Sequence, residues 1–255
     1  MLRILVLLLI LLAVALTAWQ DRYRSTQWRT PLYVAIFPVA ADDSPVTASY
    51  VASIDAQRFK PIDAFFIREG QRYRLNEQEP LKTRLHAPLQ ALPPQRSPDA
   101  GLLATAWWSL RLRFWAWHVS RGVEEPQDIR IFVLYHDPAL TPNVPHSLGL
   151  TKGLIGVVYA FAAPSMNGAN NVIVAHELLH TLGATDKYLP GSNAPRFPDG
   201  YGDPNQVPLY PQRSAEIMAG RRVLSAARWV QADGLDEVVI GPATAREIRW
   251  PQHAR

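Results

Sequence analysis

The 255-residue chain contains no cysteine. That absence removes disulfide frameworks, thiolate metal sites, iron–sulfur clusters and cysteine nucleophiles together, so any metal must be held by His, Asp or Glu. Charge is also scarce, at 19% of residues with a formal net charge of +4. Of the 26 basic residues 22 are arginine, scattered along the chain rather than gathered into a stripe, and no nucleic-acid partner is expected. The chain has no internal repeat and no low-complexity tract. What it does have is 48% hydrophobic residues, which at this length suffice for a buried core in one domain or two small ones.

Residues 4–19 form an uncharged apolar run of 16 residues behind Arg3. The run lies near the lower length limit for a bilayer-spanning helix, and the small residues of a cleavage site are poorly placed in it. A retained membrane anchor is therefore expected ahead of a cleaved export signal or a hydrophobic core helix. Arg22, Arg24 and Arg29 follow the run, and by the positive-inside rule alone they would hold the remainder in the cytoplasm. The signal-like shape of the segment favours the opposite, an extracytoplasmic globular part, anchored or exported. Residues 20–30 read as a linker and 31–255 as that globular part.

Along the globular part, residues 31–40, 128–135, 154–163 and 237–240 are apolar and β-branched enough to be strands, with 154–161 as the expected sheet edge. A short helix is expected over 49–57, residues 64–75 are ambiguous, and four prolines make 88–98 a loop. Residues 101–122, with four Trp and Phe114, read as a long core helix packed on the sheet, with Arg111 and Arg113 reaching out to water. A further helix is expected over 170–182, capped by Asn170 or Asn171 and ended by Gly183. Six prolines and three glycines in residues 190–213 predict a long loop, and Pro242 opens a last helix ending near Trp250. These elements predict an α+β fold. It consists of a twisted mixed sheet, a helix carrying the site (residues 31–183 as the N-terminal subdomain) and a C-terminal subdomain over 184–255, preceded by the N-terminal hydrophobic helix.

The chemistry concentrates in residues 172–188, VIVAHELLHTLGATDKY. Residues four apart on a helix differ by about 40° around its axis, so His176 and His180 present their imidazoles to one point. Glu177 lies about 100° from His176, beside such a metal rather than on it, where a carboxylate can take a proton from an activated water. A catalytic zinc keeps three protein ligands and leaves one position to water. Gly183 lets the chain turn back, and Asp186 then falls within reach as the third ligand; Glu216, Asp199 and Asp203 are the alternatives. In a chain of this composition H-E-x-x-H arises by chance with a frequency of about 0.7%, so the motif is taken as signal. Tyr188, Tyr201 and Tyr210 are candidate donors to a tetrahedral oxyanion. Asp199, Asp203 and Asn205 form a weak candidate set for Ca2+. His118, His136 and His146 read as surface or structural residues, and His86 and His253 lie in no pattern.

The full pattern, H-E-x-x-H-x-x-G-x-x-D with Leu182 before the glycine and Tyr188 two places after the aspartate, resembles the active-site helix and turn of metzincin-type zinc endopeptidases. The variant it matches carries Asp as third ligand, as in snapalysin-like peptidases. The resemblance covers roughly residues 154–218 and is specific over 175–188. It implies a zincin-like fold, one catalytic Zn2+ held by His176, His180 and Asp186, Glu177 as general base, and hydrolysis of peptide or protein substrates. It also implies a methionine turn, and Met218 in SAEIMAG stands at that place. Two departures are visible: no Tyr stands at the second position after Met218, and a Pro-rich loop fills the interval after Asp186. The same donor set would serve a zinc hydrolase of a non-peptide bond, or a catalytically silent zinc-fold binding or assembly protein.

Overall fold

The computed structural model describes residues 25–251 apart from Pro98, Ala100 and Lys152. The expected anchor at residues 1–19 lies outside them, as do linker residues 20–24. In chain order the first half carries β1 (Leu32–Ala40), α1 (Pro45–Ala52), α2 (Lys60–Arg72), β2 (Leu81–Leu85), α3 (Leu102–Ser120), β3 (Ile129–His136), β4 (Leu148–Leu150), β5 (Ile155–Phe161) and α4 (Asn167–Thr181). The second carries β6 (Ala215–Glu216), β7 (Arg221–Ser225), β8 (Arg228–Gln231), β9 (Val238–Val239) and α5 (Pro242–Glu247).

Two mixed sheets organise these elements, one of order β2-β1-β3-β5-β4 and one of order β8-β7-β6-β9. In the first, β2, β1, β3 and β5 run parallel and β4 is antiparallel to β5. Helices cover both faces of its central strands, so β1 and β3 are nearly continuous apolar runs rather than alternating ones. Side-chain alternation still divides the core into two layers. Val34, Ile36, Ile131, Val133 and Val158 pack with residues of α1, α2 and α4, and the same cluster continues into Ile217, Val238 and Ile240. Phe37, Phe132, Leu134, Ile155 and Val157 pack against Trp108, Leu112 and Ala116 of α3 on the other side. The second sheet is tied to α2: Arg68 donates to the carbonyls of Leu235 (2.9 Å) and Val238 (2.8 Å), and the Tyr73 hydroxyl to that of Ile240 (2.8 Å). Among the described residues no helix is long and apolar enough to cross a membrane.

Several expectations are corrected. The sheet edge is β4, not residues 154–161, because β4 pairs with Ile155 to Val157 and leaves only the far end of β5 open. A three-residue strand centred on Gly149 has too little pattern to be read from sequence. The first helix begins at Pro45 rather than Ser49, since Ser44 caps it by accepting from the Val46 amide (3.2 Å) and proline suits its first turn. Asn170 and Asn171 are not caps but interior positions of α4. The Asn170 amide bonds both the amide and the carbonyl of Phe161, and Asn171 donates to the Arg58 carbonyl (2.8 Å). The long helix α3 is not enclosed: Trp108, Leu112 and Ala116 are buried, whereas Trp107, Phe114 and Trp117 are more than half exposed.

Candidate metal centre

Helix α4 lies against β5 and β4, and its end is set by backbone chemistry. Gly183, at φ 105°, adopts the left-handed conformation that costs a glycine little, and the Ala184 amide reaches back to the Leu179 carbonyl (3.0 Å). This turn returns the chain over the last helical residues. The Ala184 carbonyl meets His180 Nδ1 at 2.8 Å, while the Ile217 carbonyl meets His176 Nδ1 at 3.0 Å. A carbonyl only accepts, so both Nδ1 atoms carry the proton, and each ring in its neutral form presents a bare lone pair at Nε2.

Those two Nε2 atoms and Asp186 Oδ1 converge. His176 and His180 Nε2 are 3.0 Å apart, and Oδ1 lies 3.2 Å from the first and 3.1 Å from the second. Ligand atoms around a tetrahedral zinc with bonds of about 2.05 Å are separated by about 3.3 Å, so the triangle has nearly the required size. Three lone pairs at such distances repel unless a cation lies among them, and the protonation behaviour points the same way. Burial opposes the charged form of His176, yet the Asp186 carboxylate and the Glu177 charge carry its pKa above the ordinary value. Burial likewise pushes the Asp186 carboxyl up, and hydrogen bonds and charge from the two imidazoles in their protonated form outweigh it, holding the carboxyl well below the usual range. The donor set therefore fits a metal ion. Among the described residues, His176, His180 and Asp186 form a group whose ligand atoms all lie close enough to hold one.

Asp186 is fixed from both sides. Lys187, 1% exposed, donates from Nζ to the Thr185 carbonyl and hydroxyl (both 2.8 Å) and to both carboxylate oxygens of Glu247 in α5 (2.9 and 2.7 Å). The Thr185 amide and hydroxyl also donate to Glu247 (2.9 and 2.7 Å), and the Lys187 amide to the Met218 carbonyl (3.0 Å). The turn at residues 216–220 thus touches the centre twice, through Ile217 to His176 and through Met218 to the Lys187 amide beside Asp186. Buried Glu216 holds that turn: its carboxylate accepts from the amides of Met218 (2.6 Å), Ala219 (3.1 Å) and Gly241 (3.1 Å) and from the Thr244 hydroxyl (2.6 Å). With these bonds made, Glu216 is no ligand. Asp203 is likewise turned to its own loop, its Oδ1 accepting from the Asn205 amide (3.0 Å), and neither it nor exposed Asp199 joins a metal-binding group among the described residues.

Glu177 is 6% exposed, and burial pushes its carboxyl up. Its Oε2 is buried with no hydrogen-bond partner, an unusual state for a carboxylate oxygen. The Glu177 side chain is part of the wall of a cleft of about 420 Å³ that also includes His176, Tyr188, His146, Tyr159, Arg221 and Gln231. Of the three tyrosines, Tyr188 lines this cleft. Tyr201 and Tyr210 bond each other, hydroxyl to hydroxyl at 3.2 Å, and neither lines it. Sequence reasoning read His146 as a surface or structural residue and passed over Arg221. Nothing in the Pro-Asn-Val-Pro-His stretch marks His146, whereas Arg221 directly follows the turn at 216–220 and was open to inference from that position.

No family model and no curated protein matches the chain. Among solved structures, OgpA from Akkermansia muciniphila is similar at 12% identity and a TM-score of 0.38, over 84% of this chain. The chain spans 58% of the length of that protein. A likeness this distant transfers neither fold nor chemistry.

Proposed function

We propose that the chain is a zinc-dependent metalloendopeptidase of the metzincin type, in which His176, His180 and Asp186 hold the ion and Glu177 is the general base. The observation that carries this reading is the pairing of three converging lone-pair donors with a buried, unpartnered carboxylate oxygen at the next helical position. A zinc ion bound there would supply Lewis acidity, lowering the pKa of water at the site and polarising a scissile carbonyl.

The chain's own groups perform the proton work. Glu177 takes the proton of the attacking water on its carboxylate and delivers it to the leaving amine nitrogen, and burial, by raising its carboxyl pKa, makes it a stronger base near neutral pH. Tyr188, in the cleft wall, is the phenol that would donate to the oxyanion. The short antiparallel β4 has one free edge beside the cleft segment 142–147, which suits an extended peptide added as a further strand. Met218 occupies the place of the methionine turn.

The test is cleavage of a peptide library and an unfolded protein by the full chain in detergent, beside Glu177→Gln. The expected result is cleavage by the parent and a loss of about 10²–10⁴-fold in turnover in the variant, with its metal retained. Turnover of a small ester with every peptide left intact would contradict the reading.

A further inference from the structure

The cleft at Glu177 carries a cation that the proton transfers do not use. Arg221 is half-buried in its wall and is the one arginine among the lining residues, which include no lysine. The turn at residues 216–220 puts it there. Four residues after Ile217, whose carbonyl meets His176 Nδ1, Arg221 opens β7. Glu216 holds the turn through the Met218 and Ala219 amides, and just past β8 the Ala232 amide donates to the Gly220 carbonyl (3.2 Å). The guanidinium therefore projects from the same frame that orients His176.

That charge has no counterion among the described residues: no carboxylate is ion-paired with Arg221, and no hydrogen bond reaches its side chain. Its partner in the β6–β7 register is Glu216, whose carboxylate is committed to backbone amides and to the Thr244 hydroxyl. The one acid among the lining residues is Glu177, whose Oε2 has no partner. Burial, ahead of the Asp186 and Glu177 charges, raises the Tyr188 phenol, and the Arg221 charge acts the other way. The guanidinium thus stands within electrostatic reach of the phenol that faces the chemistry.

The neighbours of Arg221 define what it can receive. The antiparallel register of β7 and β8 sets Gln231 opposite Arg221, so the two side chains share a face, and both line the cleft together with Asn193. The planar guanidinium fork matches the two oxygens of a carboxylate, and the carboxamides add N–H donors beside it. A single arginine without lysine suits one carboxylate rather than a doubly charged phosphate.

We propose that Arg221, with Gln231 and Asn193, forms a carboxylate-binding subsite, so that the peptide taken by this cleft carries an acidic group close to the bond presented to Glu177. A peptide as the ligand rests on the metallopeptidase reading above; the preference for negative charge rests on the cleft itself.

The test uses three end-capped octapeptide libraries that differ only in one fixed central residue, Asp, Asn or Lys, and a fourth with central Asn and a free C-terminal carboxylate. Binding to the zinc-equilibrated full chain carrying Glu177→Gln is read by equilibrium dialysis, and cleavage by the parent is read by mass spectrometry. The expected result is binding of the Asp library about tenfold tighter than of the Asn and Lys libraries. Arg221→Gln should abolish the preference, Arg221→Lys should retain most of it, and Arg221→Glu should transfer it to the Lys library, with each variant checked for folding by circular dichroism. A preference for the fourth library alone, lost in Arg221→Gln, would support the subsite and assign the carboxylate to a peptide end. Equal binding of all four libraries, or a preference for acid that survives Arg221→Glu, would overturn the inference. Charge-selective binding without cleavage by the parent would leave the subsite standing and contradict the peptidase reading, and cleavage without charge preference would do the reverse.

Discussion

Helices α3 and α4 flank opposite faces of one sheet and invert the usual relation between hydrophobicity and burial. The first is Trp- and Leu-rich yet buries mainly Trp108, Leu112, Ala116 and Ser120. The second carries asparagines, histidines and a glutamate, yet ten of its 15 residues are buried. The difference lies in partners. Polar groups of α4 meet backbone atoms of other elements, as Asn170 meets Phe161 and His176 meets Ile217, so their burial leaves few unmet bonds. The apolar groups of α3 need only to leave water, and among the described residues no element beyond the sheet receives them. The unmet polar atom of α4, Glu177 Oε2, and the exposed apolar face of α3 are two of the places among the described residues where local satisfaction is incomplete.

Substitutions in the two helices test this inversion. The largest effect is expected at fully buried leucines: Leu178→Ala in α4 and Leu112→Ala in α3 should each cost about 2–5 kcal/mol in denaturant unfolding. Where α4 meets β4, a side chain at Gly149 would stand 2.6 Å from His180 Cβ and press on the Glu177 carbonyl. Gly149→Ala should therefore cost about 1–3 kcal/mol and weaken metal binding together with stability, read by calorimetry and metal titration.

A smaller effect concerns the clamp behind Asp186. Burial alone would raise the Glu247 carboxyl, but Lys187 and Thr185 lower it below its ordinary 4.5. A depressed carboxyl contributes stability above the unfolded-state pKa and loses it as pH falls through the folded value. Glu247→Gln should thus be less stable than the parent at neutral pH, with the gap closing below about pH 4.5 in acid-unfolding curves. The smallest effect is expected at Leu110→Ala, two residues from Leu112, which should change stability by no more than about 0.5 kcal/mol. A cost there equal to that at Leu112 would mean the face is packed against protein and would break the comparison.

Much of α4 was legible because the motif fixes its own geometry. Four-residue spacing aligns His176 with His180, and Gly183 ends the helix with the positive φ that returns Asp186. The central strands were legible for a related reason, since burial on both faces leaves long runs of Val, Ile and Phe. What escaped depends on distant partners. Lys187 and Glu247 meet across 60 residues, and β4 exists because α4 and β5 receive it. Periodicity on α3 showed which side chains share a face, but it carries no information about whether anything covers that face. Asn170 and Asn171 have the chemistry of caps and were diverted to tertiary bonds, which local propensity does not reveal.

The most direct measurement is the zinc content of the full chain after purification and equilibration with zinc, beside Glu177→Gln, His180→Ala and Asp186→Ala, each checked for folding by circular dichroism. The account predicts one ion per chain in the parent and in Glu177→Gln, and loss of tight binding in the other two. A folded parent that takes up no zinc, or an Asp186→Ala variant that holds it as tightly as the parent, would contradict the three-ligand centre.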